Sequence, residues 1–364
     1  VEYEVLEPLT DMHKAEHSDI HVHAEGNVLE TTIIRRGEPA DEVLDNAAFV
    51  VRRSFDTQRI EHAFAETEAA VARPWGEDGI EIFSQSQGVY EDRNQLGRLL
   101  DMDKKKISVH LVPTGGGFGG KEDMTVQPHA ALYARLLNRP VKLHLSRDES
   151  IRMHPKRHPI HLDYELGCDK KGKLSILKAR IIGDTGAYAS VGMKVLERCA
   201  GHAAGAYHIP SVDVIAKAMY TNNVPCGAMR GFGVNQAAFA LESCIDEVCD
   251  LGGFDRWQFR FDNALTNGST CTTDQILEKG VGVRETLLAV KDEFYKAKYA
   301  GLACGLKNTG IGNGMNDECE AKIDIRSADQ VIIHHGWTEM GQGVDTIALQ
   351  TLVQETGLDP AIID

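Results

Sequence analysis

Three short stretches of this chain have the residue types to hold an anion against backbone N–H groups. The first is Gly115-Gly116-Gly117-Phe118-Gly119-Gly120-Lys121-Glu122, with five glycines in its first six positions. The second is Cys226-Gly227-Ala228-Met229-Arg230-Gly231-Phe232-Gly233, and the third is Thr338-Glu339-Met340-Gly341-Gln342-Gly343. Glycine tolerates positive φ and lets a backbone approach another molecule closely. A helix start adds free N–H groups and the positive end of a dipole. One such loop is common, whereas three in one chain point to a large anionic ligand held by several dipoles.

The first loop taken alone admits three readings. As a Walker A loop it nearly fits, but Glu122 stands where Ser or Thr should hold magnesium and sets a negative charge beside the would-be phosphate. As a dinucleotide fingerprint, Gly115, Gly117 and Gly120 match G-x-G-x-x-G, a weak signal on its own. A loop needed only for tight packing is the bland reading, and the two further loops weigh against it.

The elements that must position these loops can be read from periodicity. Ile107 to Val112 reads as a strand before the first loop. Gln127 to Leu137 reads as a helix after it, with Ala130, Leu132, Tyr133, Leu136 and Leu137 at helical spacing. The second loop runs into a helix from Asn235 to Leu251, whose stripe Ala238, Leu241, Ile245 and Val248 ends at Gly252-Gly253. The third lies between a strand Val331 to His335 and a helix Val344 to Thr356. Further strands are expected at Val28 to Arg35, Ala48 to Phe55, Ala70 to Pro74, Ile80 to Phe83 and Lys173 to Asp184. Helices are expected at Pro39 to Asn46, Tyr90 to Leu100 and Val283 to Lys296, the second opened by Ser84-Gln85-Ser86-Gln87. The fold class expected is α+β, with mixed sheets and helices following glycine loops. A boundary belongs in the irregular tract 253–283.

Acidic residues outnumber basic ones by 54 to 39, a formal net charge of −15, so nucleic acid and anionic membrane are not expected partners. No run nears the roughly 18 apolar residues that a membrane span needs. The eight cysteines show no C-x-x-C, so zinc-ribbon and iron–sulfur signatures are absent. Scattered cysteines fit buried packing in a reducing compartment, and a cytoplasmic location is expected. His13, His17, His21 and His23 crowd the beginning, where a strand Ile20 to His23 would set two of them side by side on one solvated face. No Cys or carboxylate partner at ligand spacing argues for a metal there. The chain opens on Val1 without a basic segment or initiator Met and closes shortly after a helix. A fragment, or one member of a split polypeptide, is therefore expected.

Together, Gly115 to Glu122, Arg230-Gly231-Phe232-Gly233 and Glu339 to Gly343 resemble, in order and spacing, the molybdopterin-binding part of the xanthine dehydrogenase and aldehyde oxidase family. The resemblance runs from about residue 40 onward and leans to the xanthine dehydrogenase side. It implies a tail or linker at 1–39, a first molybdopterin-binding domain at 40–262 and an incomplete second one at 263–364. It implies a molybdenum-pyranopterin cofactor, as the monophosphate or a cytosine dinucleotide, with a sulfido or selenido ligand. It also implies 2Fe-2S and FAD centres on other domains or subunits, and an oligomer.

By the same resemblance, Gln87 donates its amide beside the metal, and Phe118 and Arg230 lie on loops next to it. Gly117, Phe118, Gly119, Arg230, Gly341, Gln342 and Gly343 hold the pterin. Glu122 and Arg198 correspond to the pair that grips a purine-type heterocycle, with Phe232 as a stacking face. An Arg there would stabilise charge pushed across the ring, and Glu122 would exchange hydrogen bonds with ring atoms as they change protonation. The implied reaction is hydroxylation of a xanthine- or hypoxanthine-like ring with water as oxygen source. The stretch Asn308-Thr309-Gly310-Ile311-Gly312-Asn313-Gly314-Met315 lacks the second aromatic usual in purine enzymes, so a nicotinate-like ring or an aldehyde stays open, as does a non-catalytic pterin-binding role. The family's general-base Glu is expected beyond residue 364.

Overall fold

The computed structural model describes residues 2–308 and 318–364. The strands are β1 Val28–Arg36, β2 Phe49–Asp56, β3 Ala69–Trp75, β4 Gly79–Ser84, β5 Ile107–Leu111, β6 Val141–His144, β7 Ile160–Cys168, β8 Leu174–Gly186, β9 Ser211–Tyr220, β10 Ala321–Ser327 and β11 Gln330–His335. The α-helices are α1 Met12–Ala15, α2 Ala40–Asn46, α3 Val89–Leu100, α4 Gln127–Leu137, α5 Arg147–Met153, α6 Gly192–Gly201, α7 Val234–Gly252, α8 Arg256–Asn263, α9 Val283–Lys296 and α10 Val344–Thr356. The chain folds as two compact units, one from residues 1–60 and 155–308, the other from 61–154 and 309–364.

The first unit is built on a five-stranded sheet in the order β1-β9-β8-β7-β2. Only β8 and β9 run parallel, and α6 makes the crossover between them. β8 is buried along most of its length, as a central strand covered on both faces should be. Helix α7 turns Ala237, Ala240, Leu241, Cys244, Ile245 and Val248 into the core, all at 1 % exposure or less. That is the apolar stripe of a helix with one face against a sheet. Behind it, Arg260 is wholly buried, donating to Glu242 Oε2 at 2.8 Å and Asp246 Oδ1 at 2.9 Å, while Tyr207 Oη donates to Glu242 Oε1 at 2.5 Å.

The second unit holds a four-stranded sheet in the order β5-β4-β3-β6. β4 and β5 are parallel, joined by the crossover helix α3, and α4 packs on the sheet through Ala130, Ala131 and Ala134. Its later part contributes the hairpin β10–β11 and helix α10.

Two expectations change. Residues 20–23 form no strand, and His23 is not on a solvated face, because its Nε2 lies 2.8 Å from Ala187 O and its ring 4.3 Å from that of Tyr220. The tract after residue 253 is more regular than its turn residues suggest. Asp255 caps α8 by accepting from Gln258 N, and Trp257, Phe259 and Arg260 bury one face of it. The cysteines behave as expected of packing residues: none is in a disulfide and five are buried. Burial pushes the Cys199, Cys244 and Cys249 thiols up to about 12.

Candidate functional site

In the second unit, Gln87 is the residue that fixes the first glycine loop. Its side-chain Oε1 accepts from Gly119 N and Lys121 N, both at 3.1 Å, and its own N donates to Lys121 O at 2.8 Å. With the carbonyl end of the amide clamped, the Nε2 end has no partner among the described residues. Thr338 Oγ1 donates to Gln87 O at 3.3 Å, and Thr114 Oγ1 donates to Glu339 O at 3.3 Å, tying the first and third loops together. Gly117 sits at this junction. A Cβ there would stand 2.6 Å from both Gln87 Oε1 and Met340 Sδ, so only glycine admits the approach.

Phe118 adopts φ +57, a left-handed conformation unusual for a bulky residue, between Gly116 at +114 and Gly119 at +94. Its ring folds back over Gly116 and remains 43 % exposed. Such strain is held only where the surroundings over-determine it, and marks a position worth functional scrutiny.

Lys121 does not serve the loop as a phosphate-binding lysine. Its ammonium pairs with Glu66, whose other oxygen accepts from Gly115 N at 2.8 Å, and it lies 4.4 Å from the Phe64 ring centre. Burial lowers it to about 8. Helix α4 begins at Gln127 with Val126 as its cap, so the glycines are not at its N-terminus, unlike Gly233 for α7 and Gly343 for α10. Glu122 stands on the loop's far shoulder. Desolvation, and then the neighbouring Asp123 carboxylate, push its carboxyl up to about 7. The side chain is nevertheless open at the surface: protein thins the water around it without closing it off.

The third loop is capped from within. Glu339 Oε1 accepts from Gly341 N at 2.7 Å and Gly343 N at 3.0 Å, and Oε2 accepts from Asp345 N at 3.3 Å. These bonds hold the Glu339 carboxyl below its usual range. Gln342 is also committed locally, accepting from Met340 N at 2.8 Å and donating to Thr338 O at 2.7 Å. The sequence reading missed Glu339 and Glu66 as the internal acceptors of these loops. The signal for Glu339 was available, a carboxylate just ahead of a glycine-capped helix start.

In the first unit, the second loop repeats the backbone pattern of the first. Gly231, Phe232 and Gly233 have φ of +97, +53 and +90. The Arg230 carbonyl accepts from Arg157 Nη2 at 2.8 Å and Asn235 Nδ2 at 3.2 Å, so the loop is braced through its main chain. The Arg230 guanidinium is exposed and takes no hydrogen bond among the described residues. A Cβ on Gly233 would meet Val195 O at 2.3 Å and Cys199 N at 3.0 Å, which places the loop against the turn of α6 that carries Arg198. Arg198 is half-buried and donates to Asn308 Oδ1 at 3.1 Å. Phe232 is half-buried, packed against the edge of the core.

The structure thus brings Gln87, Gly117, Phe118, Gly119, Glu122, Gly341, Gln342 and Gly343 into one unit, and Arg198, Arg230 and Phe232 into the other. The stretch after Asn308 that lacked an aromatic lies outside the described residues.

Molybdopterin cofactor-binding domain models match residues 20–264 and 283–364. The chain belongs to this family, that of the xanthine dehydrogenase and aldehyde oxidase type. It is similar to a probable xanthine dehydrogenase component of Bacillus subtilis, 32 % identical over 98 % of this chain and 49 % of that protein. It is likewise similar to the "Nicotinate dehydrogenase large molybdopterin subunit" of Eubacterium barkeri, 35 % identical over 80 % of this chain and 69 % of that one. Among solved structures, the aldehyde oxidoreductase of Desulfovibrio gigas superimposes with a TM-score of 0.91 at 24 % identity, over 99 % of this chain and 42 % of that one. Quinoline 2-oxidoreductase of Pseudomonas putida 86 gives 0.90 at 24 % identity, over 100 % and 50 %. The chain spans about half the length of most of these relatives.

The residues fit a pterin-borne metal group. Gln87 offers an Nε2 donor opposite a carbonyl oxygen held by two backbone amides, the kind of group that can face an oxo-bearing metal.

Proposed function

We propose that this chain is the cofactor-binding part of a molybdenum hydroxylase that oxidises a purine-type N-heterocycle, with water as the oxygen source. The observation that carries the proposal is the Gln87 clamp, which leaves the amide NH2 unused among the described residues. Bound molybdopterin supplies the two-electron redox chemistry. Gln87 donates toward its metal end, and the backbones of Gly117, Phe118, Gly119, Arg230, Gly341, Gln342 and Gly343 line the pterin. Glu122, with a carboxyl near neutrality, can accept from or donate to a ring nitrogen as the ring changes protonation. Arg198 offsets negative charge pushed onto the heterocycle, and Phe232 stacks on it. Electrons leave through 2Fe-2S and FAD centres on other domains or subunits of a cytoplasmic oligomer, and the pterin is carried as a cytosine dinucleotide.

A nicotinate-like substrate is the second reading, favoured by the 35 % identity to a nicotinate dehydrogenase subunit and by the cationic Arg198, which would pair with a ring carboxylate. Kinetics of the intact enzyme carrying Glu122→Ala or Arg198→Met separate the two, with molybdenum content measured alongside. Purine specificity requires kcat/KM for xanthine to fall at least ~100-fold in both variants while molybdenum stays bound. A loss confined to Arg198→Met, with nicotinate as the better substrate, assigns the second reading. Wild-type enzyme without molybdenum refutes both.

A further inference from the structure

Glu61, His62 and His154 are the first two residues and the last of one chain segment of the second unit. One carboxylate oxygen and one nitrogen from each imidazole lie within 4.8 Å of one another. His154 is fully buried and His62 only 7 % exposed, so this is an interior cluster. The two rings meet edge to face with centroids 5.0 Å apart.

The hydrogen bonding of His154 fixes its tautomer. Nε2 lies 2.6 Å from Gly120 O, and since a carbonyl can only accept, Nε2 carries the proton. In the neutral ring Nδ1 then turns its lone pair toward Glu61 Oε1, 3.3 Å away. Two acceptors at that separation repel unless a proton or a metal ion lies between them, and Oε1 also accepts from His62 N at 3.0 Å. Two ligands at about 2.0–2.1 Å from a tetrahedral zinc ion stand about 3.4 Å apart, close to the spacing found. An imidazole whose other N–H is held by a backbone carbonyl is also the usual arrangement of a metal-bound histidine. The donor set, two imidazoles and a carboxylate, suits zinc better than a hard cation such as calcium.

We propose that Glu61, His62 and His154 hold a zinc-class divalent ion, with water in the fourth position. The ion would clip the start of this segment to its end. It would also support the first glycine loop, because Gly120 packs on both rings: a Cβ there would meet His154 Cε1 and His62 Cγ at 2.8 Å. The site is separate from the molybdopterin residues and does not depend on their assignment.

The test uses the intact enzyme, stripped with a chelator and titrated with Co²⁺ as a spectroscopic probe. One tightly held Co²⁺ with tetrahedral d–d absorption, displaced by Zn²⁺, is expected in the wild type. Affinity should fall at least ~10-fold in both His62→Gln and Glu61→Gln. Zn²⁺ should raise the melting temperature of the wild type but not of either variant. His161→Gln, which breaks the exposed cluster of His13, Asp56 and His161, should leave the signal intact. The proposal is overturned by no Co²⁺ signal in the wild type, where a proton rather than a metal would join His154 to Glu61. It is equally overturned by a signal that His161→Gln abolishes and His62→Gln preserves.

Discussion

Gly117→Ala probes the junction of the two loops in the second unit most directly. The new Cβ would stand 2.6 Å from Met340 Sδ, which can move, and 2.6 Å from Gln87 Oε1, which cannot. That oxygen is held by Gly119 N and Lys121 N, so giving way forfeits two hydrogen bonds. At about 1 kcal/mol each, the bonds account for ~2 kcal/mol. Overpacking of the surroundings adds about 1–3 kcal/mol. A loss of ~3–5 kcal/mol lowers Tm by roughly 6–20 °C for a cooperative unit of about 150–250 residues. Gly336→Ala is the control, because a Cβ there meets nothing within 4 Å and its φ is not positive. It should change stability by less than ~0.5 kcal/mol. Thermal melts of both variants, with amide exchange at Gly119 and Lys121, give the readout. If Gly117→Ala melts with the control and keeps both amides protected, Gln87 is not the clamp and the reasoning fails.

Two further perturbations follow from charges in the same unit. The Glu122 carboxyl is raised from 4.5 to about 7 by desolvation and Asp123, so between these values the folded chain binds more protons than the unfolded one. Stability should therefore decline as pH rises through that window, and Glu122→Gln should flatten the decline in denaturant titrations at pH 5, 6 and 7. An unaltered slope would show that Glu122 is fully hydrated. Glu66→Gln leaves the Lys121 ammonium, with a side chain only 4 % exposed, without its counter-charge. That should cost about 3 kcal/mol in urea unfolding, whereas Glu66→Gln with Lys121→Met should recover much of it.

Much of the fold was legible because its elements announce themselves locally. Helices α4, α9 and α10 begin and end where the periodicity places them, and α7 within a residue of it, since Gly233 and Gly253 bracket a clear apolar stripe. The elements left unread, β6, β7, β9, α5, α6 and α8 among them, have weaker local signals. β7 and β9 owe their state to pairing with β8, and no window of sequence contains that pairing. The nearness of His62 to His154 was illegible for the same reason, because only the fold closes the segment between them.

The glycine loops were legible as loops, but not what their amides do. Their pattern suggests N–H groups left open for an anion. Instead, Glu66 takes Gly115 N, Gln87 takes Gly119 N and Lys121 N, and Glu339 takes Gly341 N and Gly343 N. A loop with orphaned donors would be unstable until its ligand arrived, since each unmet buried donor costs about 1–3 kcal/mol. The first and third loops carry acceptors for these five amides, so that part of their shape does not depend on a ligand being present. What the clamped side chains leave over is then the other set of groups open to a ligand. Among the described residues, the leftover at Gln87 is an amide donor, at Arg230 an unpaired guanidinium, and at Phe118 a half-exposed ring on a strained backbone. A ligand that needed the N–H groups of Gly115, Gly119, Lys121, Gly341 and Gly343 would have to displace Glu66, Gln87 or Glu339. One that takes a directed side-chain donor would not.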